Sequence, residues 1–212
     1  MTRPQMTRPQ MTRPGMTRPE MTWSLRTLIL AAAVGLAACG SSPPPSTYTL
    51  VPIPPATTAP AGALALSVQD ADIPRYLDRP QVVRYNATYQ LEVAENARWG
   101  EPFAAMVTRV LVLDLARRLP GAQVFRASDS TSVPPQLSLE VTFNAFEANP
   151  ANQIVLNARW VVRQGERGDV VSSDATEIIT QPAEPTLPGM AAAMSQALAQ
   201  MSDLVIASLP GY

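Results

Sequence analysis

The chain contains no histidine and no lysine, and its single cysteine is Cys39. These absences exclude whole classes of chemistry. Ser-His-Asp, Cys-His and Ser-Lys activation each require a side chain that is missing. Zinc sites built on clustered imidazoles or thiolates lack their ligands, and an intrachain disulfide lacks its second thiol. Only paired carboxylates or an all-oxygen calcium cage are left for acid–base or metal work. The acids are scattered singly apart from Asp70/Asp72 and Glu92/Glu95, with no EF-hand spacing. They read as solvated surface carboxylates, with neither a catalytic nor a metal-ligating role, and an enzyme is not expected. Long hydrophobic runs are also absent. The longest, beginning at Leu28 and carried to Gly35, is far short of the ~20 residues a membrane-spanning helix needs.

That short run nevertheless sits in an informative context. Arg26 precedes it as a positive n-region, and Leu36-Ala37-Ala38-Cys39 follows, with Gly40, Ser41 and Ser42 after the cysteine. A branched aliphatic residue, two small residues and Cys resemble a bacterial lipobox, where a precursor is lipidated on the thiol and cut just before it. The expectation is a covalent diacylglyceryl and N-acyl lipid on Cys39 and no other cofactor. Upstream, Met-Thr-Arg-Pro recurs at Met1, Met6, Met11 and Met16, and Met21-Thr22 begins a copy that breaks off. Proline every five residues cannot propagate a helix, and the period is too short for a solenoid. Residues 1–38 therefore read as a signal peptide behind an in-frame repeat, with translation starting at Met21.

Cleavage before Cys39 leaves 174 of 212 residues, enough for one domain with a real core. Five of the 16 cations (Arg3, Arg8, Arg13, Arg18, Arg26) and one of the 17 acids (Glu20) precede the cut. The mature chain thus carries 11 cations, 16 acids and a net charge of −5, which argues against a nucleic-acid surface. Residues 39–47, with Pro43-Pro44-Pro45, read as an extended tether, and 48–212 as the domain.

Within the domain, Tyr48 to Val51 is a brief strand signal followed by proline-rich loop to Pro60. Leu64, Leu66 and Val68 alternate as a half-buried strand. Asp72 to Val83 is framed by Pro74 and Pro80, which push Ile73 and Arg79 toward extended backbone; it reads as a loop entering a strand at Gln81 to Arg84. A short strand is expected at Tyr89 to Val93. Arg98-Trp99-Gly100-Glu101-Pro102-Phe103 then opens a helix running to Leu119, where Pro120-Gly121 stops it. Its apolar stripe is broken by Asp114, Arg117 and Arg118, and a second apolar side implies a helix sandwiched between neighbours. Gln123 to Arg126, Leu137 to Phe143, Ile154 to Val162 and Val170 to Ile179 alternate as strands, the last three as an antiparallel meander. A closing helix from Pro188 to Leu209 carries Met190, Met194 and Met201 on one stripe, read as packing on the sheet with an adaptable partner surface as the rival. The fold class is α+β: a mixed, mostly antiparallel sheet with two long helices.

The lipobox, Tyr48-Thr49-Leu50, Ile73-Pro74-Arg75-Tyr76-Leu77-Asp78-Arg79-Pro80-Gln81-Val82-Val83, Trp99-Gly100-Glu101-Pro102-Phe103 and the Leu156, Ala158, Trp160 strand together resemble the ABC-type transport auxiliary lipoproteins, the PqiC (YmbA) family. The resemblance implies a lipoprotein facing the periplasm and serving a lipid-trafficking ABC transporter. The implied partner is an MCE-domain protein reaching toward the outer membrane, with homo-oligomerisation open and no nucleic acid. Gly40, where Asp would signal retention, is similar to an outer-membrane sorting signal. Arg75, Tyr76, Asp78 and Arg79 are the candidate partner-binding residues, against the alternative that Asp78 pairs with an arginine and Tyr76 packs on the sheet. A docking subunit is the leading reading; a periplasmic lipid-binding shuttle is the alternative.

Overall fold

The computed structural model describes residues 44–211 apart from 61, 89 and 130–132; Cys39 and the signal segment lie outside them. Eight strands and two helices follow one another as β1 (Ser46–Tyr48), β2 (Ala65–Val68), β3 (Gln81–Tyr85), β4 (Leu91–Trp99), α1 (Phe103–Arg118), β5 (Gln123–Arg126), β6 (Leu137–Ala148), β7 (Ile154–Gln164), β8 (Val170–Thr180) and α2 (Leu187–Ala207). All eight strands join one mixed sheet, so the α+β architecture expected from the alternation is what the chain adopts. The long pairings β6–β7 and β7–β8 are antiparallel, as is β3–β4. The parallel pairings are short: β1–β4, β2–β5, β2–β6 and β3–β6.

β6 organises the sheet. One edge pairs with β7 along its length, while the other is shared between β2 at Leu137–Leu139 and β3 at Ala148. A bulge between Phe143 and Ala145 explains why the period-2 signal faded after Phe143 although the strand continues. An extra residue on one strand reverses which positions face the core. Before it Leu139, Val141 and Phe143 point inward; after it Phe146 and Ala148 do, and Phe143 and Phe146 stack at 5.7 Å.

β7 keeps the expected alternation, burying Ile154, Leu156, Ala158, Trp160 and Val162. β4 is longer than expected, taking in Arg98 and Trp99, which the sequence had suggested for the helix entry. The helix begins after a bend at Gly100–Glu101, with Pro102 as its cap residue. At the start of the domain, Ser46 and Thr47 already pair with Ala97 and Arg98.

α2 lies against β6, β7, β8 and α1. Thr186 caps it by accepting from the Gly189 N–H at 3.2 Å, with Pro188 in the first turn. Met190, Met194 and Met201 are all buried, so they are core side chains rather than an exposed methionine surface; Leu204, near the end of the helix, is exposed. The stripe of α1 is unbroken: Phe103, Met106, Val107, Val110, Leu111, Asp114, Leu115 and Arg118 are all buried. Asp114 and Arg118 do not interrupt the stripe. They are buried within it as an ion pair, and Leu113 is the residue left outside.

The proline-rich segment after β1 is held over the helices by side chains, since proline lacks the N–H for a ladder. The Val51 N–H donates to Ser195 Oγ at 3.1 Å, the Ile53 N–H to Asp114 Oδ1 at 2.9 Å, and Arg117 donates to the Pro52 carbonyl at 2.7 Å. The Leu50 N–H faces the Met106 sulfur at 3.3 Å.

Candidate functional site: a groove between two corners

The turn after Pro74 and the corner before α1 lie apart in sequence but together in space. Pro74 and Pro80 frame the turn, whose first bond runs from the Leu77 N–H to the Pro74 carbonyl at 2.9 Å. At its exit the Trp99 N–H donates to the Pro80 carbonyl at 2.7 Å, and Gln81 pairs with Arg98. The Gly100 N–H donates to the Tyr48 carbonyl at 2.8 Å, tying β1 to the same corner. Beneath, Trp99 stacks on Phe103 at 5.2 Å and Phe103 meets Phe146 at 5.8 Å, so an aromatic ladder carries the corner into the core.

Between the two corners runs a groove of about 370 Å³, lined by Asp78, Arg79, Pro80, Trp99, Glu101 and Pro102. Pro80, Pro102 and Trp99 supply apolar lining, and Asp78, Arg79 and Glu101 supply charge. Glu101 is held by Arg109, whose Nη2 lies 2.6 Å from its carboxylate. Arg75, Asp78 and Arg79 are exposed, and none of the three takes part in an ion pair among the described residues. The alternative in which Asp78 pairs with a neighbouring arginine is therefore not what the chain does.

Tyr76 behaves differently from its three charged neighbours. It turns inward and donates its hydroxyl to Glu147 Oε1 at 3.1 Å, with Tyr85 edge-on at 6.1 Å. Burial, then the nearby Glu147 carboxylate, push the phenol well above its usual range. Glu147 itself is raised by burial, opposed by the Phe146 N–H at 2.6 Å and the Tyr76 hydroxyl. The structure thus separates the four candidates: Asp78 and Arg79 line the groove, Arg75 stands exposed on the same turn, and Tyr76 pins that turn to β6.

Sequence reasoning missed two buried polar clusters. The first is Glu147, which the bulge at Asn144 sends to the sheet face beneath Tyr76. Nothing in a period-2 pattern signals it. The second joins α1 to α2. Arg118 is 3 % exposed and donates from Nε to Asp203 Oδ1 at 2.6 Å, and from Nη1 to the Ile53 carbonyl at 3.2 Å and Asp114 Oδ1 at 3.3 Å. Asp114 is fully buried, and its Oδ2 has no partner. Burial raises its pKa to about 6, against the lowering influence of the Ile53 N–H, Arg118 and Arg117. The i,i+4 placement of Asp114 and Arg118 on an otherwise apolar stripe was the available signal. The acid pairs noted in the sequence divide into separate roles: Asp70 pairs with Arg126 at 3.1 Å and Glu92 with Arg84 at 2.8 Å. Asp72 makes a backbone bridge to Thr142.

No group of three or more metal-ligating side chains occurs among the described residues, and no helix there is long and apolar enough to cross a membrane. The groove offers apolar walls and charged lining residues, of which Asp78 and Arg79 are unpaired among the described residues; such a surface suits a protein side chain or segment. This is an α+β domain with an exposed groove at one corner. The chain belongs to the ABC-type transport auxiliary lipoprotein component family, which it matches over residues 48–205. It is 27% identical over 143 residues to the intermembrane transport lipoprotein PqiC of Escherichia coli K12, spanning 66% of this chain and 75% of that one, and equally to PqiC of Shigella flexneri. Two solved structures share the fold. One, of an uncharacterized protein, has a TM-score of 0.63 at 22% identity, covering 76% of this chain and 96% of the other. The second, from Xanthomonas campestris, has a TM-score of 0.59 at 18% identity, covering 76% and 92%. The family's description is that of a transport auxiliary.

Proposed function

We propose that the protein is a lipid-anchored docking subunit of an ABC/MCE-type envelope lipid transport system. Cys39 carries the acyl chains, Gly40 directs the protein to the outer membrane, and the domain faces the periplasm. There it holds the MCE-domain component through the groove between the Pro74–Pro80 turn and the Trp99–Pro102 corner. Multiple acyl chains, at about 0.8 kcal/mol per buried CH₂, exceed the marginal hold of a single chain. One observation carries the docking surface. Two of the sequence blocks that carry the family resemblance converge on one exposed groove, and its charges Asp78 and Arg79 have no ion-pair partner among the described residues.

The test is recovery of the MCE-domain protein with the intact lipoprotein in mild detergent. Asp78→Arg and Arg79→Ala touch no internal ion pair, so both are expected to keep the thermal midpoint within a few degrees while losing the partner. Full recovery by both variants refutes docking at this groove. Cys39→Ser is expected to abolish metabolic palmitate labelling and release the protein from membranes; persistent label refutes the anchor without bearing on the groove.

A further inference from the structure

A second cavity, lined in part by Glu147, is unaccounted for by docking. It measures about 350 Å³ and lies between the turn after β3 and the turn joining β6 to β7, lined by Tyr85, Asn86, Glu147, Asn149, Pro150 and Val155. That volume is at the lower end of the range for small-molecule sites. Tyr85, Pro150 and Val155 contribute apolar lining, and Asn86 and Asn149 polar lining. Both asparagines are already engaged in shaping their turns: Asn86 Oδ1 accepts from Thr88 and Gln90, and Asn149 Oδ1 accepts from Ala151 and Gln153. Both turns that border the cavity are therefore fixed by the chain's own hydrogen bonds.

Glu147 distinguishes this cavity from an ordinary surface dimple. Its side chain is 4 % exposed, and no arginine stands within ion-pair distance of it among the described residues. The chain has neither lysine nor histidine to offer instead. The carboxyl receives two hydrogen bonds, from the Phe146 N–H and the Tyr76 hydroxyl. A carboxylate has about four lone-pair positions, so acceptor capacity remains. Buried carboxylates are ordinarily compensated by a cation, and the cavity that Glu147 lines has room for one. Arg84, the nearest cation in sequence on β3, is committed to Glu92 at 2.8 Å. An aromatic ring beside an uncompensated carboxylate suits an organic cation, because the ring face adds its own attraction.

We propose that this cavity binds a small organic ammonium, with the Glu147 carboxylate as its counter-charge, the Tyr85 ring and Val155 as its apolar walls, and Tyr76 holding the carboxylate in place. The raised proton affinity that burial gives Glu147 fits such a site, since a bound cation restores the charged form that burial disfavours. An ammonium of this kind could come from a phosphoethanolamine headgroup or from a free amine. The shared chemistry is a primary ammonium on a short chain.

The experiment follows backbone amide signals of Tyr85, Glu147 and Val155 in the purified full-length protein by NMR. The probes are n-butylammonium, its neutral isostere 1-butanol, and glycerophosphoethanolamine. A saturable shift with at least one ammonium probe, tenfold or more weaker with 1-butanol, is expected. A tighter response to glycerophosphoethanolamine identifies the headgroup as the source; a tighter response to n-butylammonium identifies a free amine. Glu147→Gln keeps an acceptor for the Phe146 N–H and is expected to weaken binding at least tenfold. Val155→Trp leaves every Glu147 bond intact and fills the cavity, so it is expected to abolish binding in a folded protein. Equal response to butanol and ammonium, no saturable response to either ammonium, or undiminished binding in both variants overturns the proposal.

Discussion

Asp114→Asn tests whether burial or ion pairing dominates the junction of α1, α2 and the Pro52–Pro60 segment. In the folded chain Asp114 Oδ1 accepts from the Ile53 N–H and from Arg118, while Oδ2 is buried without a partner. Burial lifts its pKa from 3.8 to about 6. An acid with a raised folded pKa binds its proton more tightly folded than unfolded. Its contribution is therefore most favourable below the unfolded pKa and is lost as pH rises through the folded one. At about 1.4 kcal/mol per pH unit the full loss is about 3 kcal/mol, of which about 2 kcal/mol falls between about pH 4.5 and about pH 7.5. Asparagine keeps an oxygen for the Ile53 N–H and Arg118 but carries no titrating charge. The difference in stability between parent and Asp114→Asn should then shift by about 2 kcal/mol in favour of the variant from the lower pH to the higher. Groups common to both proteins cancel in that difference. Urea unfolding followed by the fluorescence of Trp99 and Trp160, both buried, reads it directly. In a domain this size it appears as about 4–8 °C in the relative thermal midpoints. A pH-independent difference, or a parent that gains on the variant as pH rises, refutes the reasoning and makes the Arg118 pairing the stronger influence.

Two further outcomes are expected. Trp160 is buried and donates its indole N–H to Ser208 Oγ at 2.9 Å, linking β7 to the end of α2; Trp160→Phe should cost about 1–3 kcal/mol in urea unfolding, from a lost bond and a small void, and no loss would mean that junction carries no strain of packing or bonding. Chelator and reductant should leave the thermal midpoint in place, because the chain has one cysteine and the described residues hold no cluster of metal ligands; a drop of several degrees would revive an oxygen-ligated calcium site.

The sequence by itself determined those features that depend on neighbours a few residues apart. Alternation in Ile154 to Val162 specified the inward face of β7, because side chains on a strand alternate whatever lies above them. The i, i+3, i+4 spacing of Met190, Met194, Ala197, Leu198, Met201 and Val205 specified the buried stripe of α2. The lipobox, three short blocks and the Leu156, Ala158, Trp160 strand together indicated the family. Tertiary structure alone decided the rest. The bulge at Asn144 shifted β6 by one residue, placing Glu147 beneath Tyr76 and extending the strand past the point where its period failed. Arg118 reads as a break in the apolar stripe of α1, yet it is buried within that stripe because Asp203, 85 residues later, and the Ile53 carbonyl arrive to satisfy it. The groove likewise exists only because the Pro80 carbonyl and the Trp99 N–H meet across a β3–β4 pairing. Local periodicity reports which side of an element is apolar. Which polar groups meet on that side is set by contacts between distant segments, and those are made only when the chain has folded.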